Sequence, residues 1–328
     1  MGFKRTVLLP QPIEQEADQY LQDAGCNIIR CNSCTFEEVG EKLKEAEAVV
    51  LRTGIKFTKE LLAKGTNLKV ISRTGAGVDN VDLEAATEQG IIVSSSLGAN
   101  TESVAEHALT MMLTLIKNIK RLDNEVRSGN FKIRYTNPSN DMTGKTLGLL
   151  GFGRIGSRLA EMCHTIFQAK IIAFDEYLPV EVQKKFESWV KFVDYETLLK
   201  EADFISIHVP LTPETRNMVD YNSMKKMKKS AFLINTSRGG IINEADLAKA
   251  MKEGLLSGAG LDVFDKEPIE ENNPLLEIDN VLMTPHTAAL TEECVVRMAM
   301  EGVKRVVAYF EGKESTNVAN PEVLKRQK

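Results

Sequence analysis

The sequence predicts an α/β protein of two domains, in which a Rossmann doubly wound parallel sheet is inserted into a smaller flavodoxin-like domain, and three observations carry that prediction. Apolar strand patterns alternate with helical ones along most of the chain, the rhythm of βαβ units. At 328 residues the chain exceeds one ordinary core. In its middle, Gly151-Phe152-Gly153-Arg154-Ile155-Gly156 stands between an apolar run and a helical stretch. The expected division is residues 1–100 with 291–328 as a substrate-binding domain, and residues 101–290 as a dinucleotide-binding domain.

In the first hundred residues, strands are read at Arg5 to Leu9, Asn27 to Arg30, Ala48 to Leu51, Leu68 to Ser72 and Ile91 to Ser94, with helices between them. Thr35 and Glu38 form the pattern of a capping box that starts one of these helices. A single helix is expected from Thr101 to about Arg127. Its middle, Ala108 to Ile116, is apolar nearly all round, so it should be buried on every side, against a second subunit or within the chain. A second alternating region runs from Thr146 to His286. A last helix, from about Thr291 to Phe310, is expected to rejoin the first domain.

The mid-chain glycines have separate tasks. Leu147 to Leu150 reads as a strand, Arg154 to Ile166 as a helix, and Lys170 to Phe174 as a second strand ending at Asp175. Gly151 permits the tight turn, Gly153 admits a pyrophosphate to the backbone, and Gly156 lets helix and sheet approach, with Arg154 and Ile155 opening the helix whose N-terminus faces the phosphates. Asp175 lies nineteen residues beyond Gly156, where a carboxylate accepts from ribose hydroxyls and repels a 2′-phosphate. NAD is therefore the expected cofactor, in preference to NADP.

The chemistry is sought farther along. Arg238 follows the apolar run Leu233 to Asn235 with Thr236 and Ser237, Glu267 follows Leu261-Asp262-Val263-Phe264, and His286 follows Val281 to Pro285. Each is placed just beyond a strand, at the edge where open α/β sheets bind ligands. A guanidinium can hold a carboxylate bidentately, an imidazole can exchange a proton near neutrality, and a neighbouring carboxylate can orient it. His107, His164 and His208 have no metal-ligand spacing and are read as structural.

Composition narrows the classes. A net charge of −5 leaves no broad basic surface, and Lys225, Lys226, Lys228 and Lys229 read as a solvated helix face, so nucleic-acid binding is not expected. No apolar stretch is long enough to span a bilayer, and no signal-peptide pattern precedes Thr6-Val7-Leu8-Leu9; the expected location is cytoplasmic. The start, Met1 to Thr6, fits the short myristoylation template but leads directly into a strand. Among the five cysteines, Cys31 and Cys34 form a C-x-x-C pair without a second pair or adjacent histidine, so reduced thiols are expected and no metal.

Gly75-Ala76-Gly77-Val78-Asp79-Asn80-Val81-Asp82, the mid-chain glycines, Ser237-Arg238-Gly239-Gly240, Leu261 to Phe264 with Glu267-Pro268, and Pro285-His286 together resemble the D-isomer-specific 2-hydroxyacid dehydrogenases, nearest the short form of the D-3-phosphoglycerate branch. The likeness runs in order over nearly the whole chain. It implies reversible hydride transfer between NAD(H) and a small 2-hydroxy acid, with Arg238, Glu267 and His286 catalytic. It further implies that Thr236, Ser237, Val209, Pro210 and Asp262 meet the cofactor, that Ala76, Gly77 and Val78 hold the substrate carboxylate, and that Arg52 and Arg73 hold a phosphate. A homodimer through residues 101–127 is implied as well. The acid implied first is 3-phosphoglycerate. His286-Thr287-Ala288-Ala289 departs from that branch, which keeps hydroxypyruvate or glyoxylate reduction and a sulfonated substrate in view. A non-enzymatic NADH-sensing corepressor shares the trio and stays as a different class.

Overall fold

The computed structural model describes residues 5–136 and 138–326. The myristoylation template falls largely on residues 1–4, outside them. In chain order the strands and helices are β1 (Thr6–Leu9), α1 (Gln15–Asp23), β2 (Asn27–Arg30), α2 (Phe36–Leu43), β3 (Ala48–Leu51), α3 (Lys59–Leu62), β4 (Val70–Arg73), α4 (Leu83–Glu88) and β5 (Ile92–Ser95). The chain continues through α5 (Thr101–Ile116), α6 (Ile119–Arg127), β6 (Thr146–Leu150), α7 (Arg154–Phe167), β7 (Lys170–Phe174), α8 (Val180–Gln183), β8 (Val190–Phe192), α9 (Tyr195–Glu201) and β9 (Phe204–Ile207). It ends with α10 (Tyr221–Lys226), β10 (Phe232–Asn235), α11 (Glu244–Lys252), β11 (Gly258–Leu261), β12 (Val281–Met283), α12 (Glu292–Phe310) and α13 (Val323–Arg326).

Two compact units result, Met1–Asn100 with Leu290–Lys328, and Thr101–Ala289. The first contains a sheet in the order β2-β1-β3-β4-β5, all parallel, which is the flavodoxin order. Both faces of this sheet are covered, so β1, β3 and β5 are buried at every position without alternation. In β1, Val7 and Leu9 face the core shared with α1 and α12, while Leu8 faces the opposite core with Val39, Leu43 and Leu61. The final helix α12, capped by Thr291, packs on α1, β3 and β4 of this unit.

The second unit is a parallel sheet in the order β12-β11-β10-β9-β6-β7-β8. The order reverses between β6 and β9, the switch point at which such sheets receive a dinucleotide. One face packs on α5 and α7 through Ala108, Met112, Leu159 and Cys163; the other is filled by Leu198, Leu233, Leu247 and Ala250.

The helix expected over 101–127 is broken. Lys117 and Asn118 separate α5 from α6, and Asn118 adopts the left-handed conformation at φ 54°, which an asparagine tolerates better than most residues. Within the single chain the apolar middle is buried on one side. Ala105, Ala108, Met111 and Met112 are buried against α7, β10 and β11, whereas Leu109, Leu113 and Leu115 are half-buried. α6 buries no residue.

Candidate active site

The second unit brings two loops together at its strand ends. Arg238 sits in the turn after β10, where buried Asn235 holds the backbone: its Oδ1 accepts the Ser237 N–H at 3.0 Å and its Nδ2 donates to the Arg238 carbonyl at 2.8 Å. Arg238 Nη1 donates to the Ser237 carbonyl at 2.7 Å. Gly239 is required by close approach, since a Cβ there would stand 1.8 Å from the Phe264 carbonyl oxygen. That contact presses the Arg238 turn onto the loop carrying Glu267. One Glu267 oxygen accepts the Phe264 N–H at 3.0 Å, and the other meets His286 Nδ1 at 2.8 Å. Against an ionised carboxylate Nδ1 can only donate, which leaves Nε2 to exchange a proton. Both side chains remain accessible, at 37 % for Glu267 and 49 % for His286.

His286 itself has φ 54°, a conformation that costs a non-glycine residue about 1–3 kcal/mol and persists only where its surroundings impose it. Asp262 imposes it. The Asp262 carbonyl accepts the His286 N–H at 2.8 Å, and its carboxylate accepts the Thr287 and Ala288 N–H groups at 2.8 and 2.9 Å and the Thr284 hydroxyl at 2.5 Å. The Asp262 side chain is wholly buried. The Asp262 carboxylate, which the resemblance sets against the cofactor, holds the two backbone N–H groups that follow His286 and the Thr284 hydroxyl that precedes it. His107 joins the cluster through Thr284 Oγ1 at 3.0 Å. Sequence spacing gave no signal for that link, because it joins residues 177 positions apart.

At the glycine turn, Gly151 has φ 94°, and a Cβ on Gly156 would lie 2.4 Å from the Gly151 carbonyl oxygen, so neither position admits a side chain. A Cβ on Gly153 would meet nothing within 4 Å; it is the open N-cap of α7 and lacks a side chain to satisfy the first N–H groups of the helix. Asp175 accepts the Phe152 N–H at 2.8 Å and the Tyr177 N–H at 3.0 Å, which orients the carboxylate while each oxygen keeps a lone pair. Thr236 Oγ1 is buried with no hydrogen-bond partner among the described residues. An open glycine cap, an oriented acid and an orphaned hydroxyl fit a dinucleotide. His208, before Val209 and Pro210, shares a hydrogen bond between Nε2 and Ser206 Oγ at 2.9 Å, and burial pushes its imidazole down to about 4. Its ring is neutral at physiological pH.

The first unit has its own cluster at the ends of β1, β3 and β4. Asn80 joins it, donating to the carbonyls of Arg52 and Ile55 at 2.8 and 3.1 Å and accepting from Arg73 Nε at 3.2 Å. Arg73 lies over the glycine run: Nη1 donates to the Thr74 carbonyl at 2.9 Å, and a Cβ on Gly75 would stand 2.5 Å from that nitrogen. Ala76, Gly77 and Val78 follow, each half-buried. Arg52 is engaged differently, in an ion pair with Glu14 at 2.9 Å and a bond to the Pro12 carbonyl at 3.3 Å.

Away from these clusters, Cys31 and Cys34 are free, and burial raises both thiols, which disfavours the reactive thiolate. The neighbouring Glu38 does not reach back to the N–H of Thr35 in the expected box. It accepts from the Asn32 and Ser33 N–H groups, the Ser33 hydroxyl and Lys42, and these bonds hold its carboxyl down to about 2. Lys226 and Lys228 pair with Glu196 and Asp203, as on an ordinary solvated face. No helix among the described residues is long and apolar enough to cross a membrane.

Residues 109–288 match the model of the D-isomer specific 2-hydroxyacid dehydrogenase NAD binding domain. A D-3-phosphoglycerate dehydrogenase of Archaeoglobus fulgidus is 37 % identical over 96 % of this chain, which spans 59 % of that relative's length. A glyoxylate reductase of Thermococcus litoralis is 41 % identical over 87 % of this chain and 86 % of its own. Among solved structures, a D-lactate dehydrogenase of Aquifex aeolicus complexed with NAD and lactic acid superposes with a TM-score of 0.84 at 32 % identity, covering 96 % of this chain and 99 % of the other.

Proposed function

We propose, for a chain that belongs to the D-isomer-specific 2-hydroxyacid dehydrogenase family, reversible oxidation of a small 2-hydroxy acid to the 2-oxo acid with NAD as cofactor. The observation that carries this reading is the contact between His286 Nδ1 and Glu267 beside the Arg238 turn, on the ligand edge of a dinucleotide-type sheet. Bound NAD supplies or accepts the hydride. Gly151, Gly153, Arg154, Ile155 and Gly156 would hold its pyrophosphate, Asp175 its ribose hydroxyls, and Val209, Pro210, Thr236 and Ser237 would line the rest of it.

The residues of the chain do the rest. The N–H groups of Ala76, Gly77 and Val78 form an anion nest for the substrate carboxylate. Arg238 polarises the carbonyl and adds a charged donor to the carboxylate. His286 Nε2 gives its proton to the alkoxide that forms in reduction and removes it in oxidation, while Glu267 fixes the ring and stabilises the imidazolium.

Two substrate tails have support. A phosphorylated acid, 3-phosphoglycerate first, is favoured by Arg73 lying over the nest and by relatives named D-3-phosphoglycerate dehydrogenase. An uncharged tail, as in glyoxylate or hydroxypyruvate, is favoured by the Arg52–Glu14 pair and by relatives named for those reductases. A homodimer is also proposed. Ile119 and Val126 on α6, each 52 % exposed, and Phe131 and Tyr135 just beyond it give residues 101–135 an apolar surface for a second copy.

A panel of 2-oxo acids, followed by loss of NADH absorbance, tests the catalytic reading. Turnover of at least one is expected. Tight NADH binding with no turnover of any would favour an NADH-sensing binding protein, and light scattering on the same sample reads the subunit count.

A further inference from the structure

We infer that Glu14 is a specificity-determining residue, an internal counter-anion that occupies Arg52 and turns the chain toward 2-oxo acids with an uncharged tail and away from phosphorylated ones. The inference rests on the dehydrogenase reading and deepens it. Glu14 is the N-cap of α1, a position that favours Ser, Thr, Asp or Asn because a short side chain can accept the orphan N–H groups of the first turn. Thr35, Thr58, Asp82 and Thr291 do this for α2, α3, α4 and α12 of the same unit. The Glu14 side chain makes no capping bond. It extends to Arg52 Nη1 at 2.9 Å, where the carboxylate is only 17 % exposed and the guanidinium 30 %.

Arg52 follows β3 and Arg73 ends the adjacent parallel β4, Asn80 bonds to the Arg52 carbonyl and to Arg73 Nε, and Arg73 borders the glycine run. A ligand anchored on the run whose second anion turns toward Arg52 meets a guanidinium already paired with Glu14. To use Arg52 it must displace a carboxylate held at high effective concentration by its own backbone, or sit beside a like charge. A ligand with an uncharged tail escapes both costs.

Isothermal titration of 3-phosphoglycerate and of D-glycerate, each into protein saturated with NADH, with which neither hydroxy acid can react, tests this in the parent chain, in Glu14→Gln and in Glu14→Gln combined with Arg52→Gln. Glu14→Gln is expected to tighten 3-phosphoglycerate by about tenfold, the order of one charge-assisted bond, and D-glycerate by less than about twofold. Adding Arg52→Gln is expected to cancel the gain. Glu14→Ser, a residue suited to the N-cap, is the second variant should Glu14→Gln fold poorly, and the same selective gain is expected of it. An unchanged ratio of the two affinities overturns the inference, as does a gain that persists without Arg52. If 2-oxo acids are turned over while that ratio stays fixed, only the role of Glu14 falls. If neither ligand binds and no 2-oxo acid is reduced, the dehydrogenase reading falls and takes this inference with it.

Discussion

Asp175 shows how a single side chain can be read twice. Its spacing from the glycines is the ground for proposing it as a ribose ligand, and the Phe152 and Tyr177 N–H groups fix the direction in which its remaining lone pairs point. Asp175→Ala is expected to weaken NAD and relieve the repulsion against NADP, together by about 1–3 kcal/mol in kcat/KM selectivity, the scale of charged hydrogen bonds. Steady-state kinetics with both cofactors measures it. His286→Ala is expected to lower kcat about a hundredfold or more with NADH binding nearly intact, because a positioned acid–base acts on the step and not on the cofactor. Glu267→Gln keeps a hydrogen-bond acceptor but removes the charge that favours imidazolium, so reduction is expected to be confined to a narrower, lower pH range. Unmoved pH profiles would assign Glu267 a purely steric task. Residues with a local motif, such as these, were legible in the sequence. Glu14 was not read at all, since it acts on an arginine 38 positions away, and the hold of Asp262 on backbone N–H groups up to 26 positions away left no local motif.

Among elements, strands and their connecting helices were read closely because parallel strands buried on both faces are continuous apolar runs between polar caps. The long pattern over 101–127 misled, because periodicity reports which residues are apolar and not whether the backbone turns at Asn118. The glycine turn and the end of β9 form a tightly packed element with a pH signature of its own. The folded-state value of His208, about 4, lies below the ordinary 6.5, so the unfolded chain takes the proton first as pH falls. Stability from the neutral ring is complete above 6.5 and is lost between there and about 4. By pH 5 the loss should reach up to about 2 kcal/mol from this group. Urea unfolding at pH 7 and pH 5 checks it: His208→Gln is expected to reduce the pH dependence by that amount.

For the whole molecule, the Rossmann unit is a continuous segment, whereas the flavodoxin-like unit is made from both ends of the chain. Val93 N–H bonds to Asn320, and Ser96 Oγ to the Met298 carbonyl, across 227 and 202 positions. A nascent chain leaving the ribosome therefore presents β1 to β5 with Val50, Val70 and Ile92 uncovered on the face that α12 later seals. That surface must wait through the synthesis of nearly two hundred residues, and the intervening unit can close first. Residues 101–289 made alone are expected to unfold in one cooperative transition. Residues 1–100 made alone are expected to bind a hydrophobic dye and to lack near-ultraviolet circular dichroism until residues 290–328 are supplied. An open apolar face of this kind is a site for a holding chaperone during translation, so the insertion that organises the folded protein also sets the interval in which its first hundred residues are most prone to aggregate.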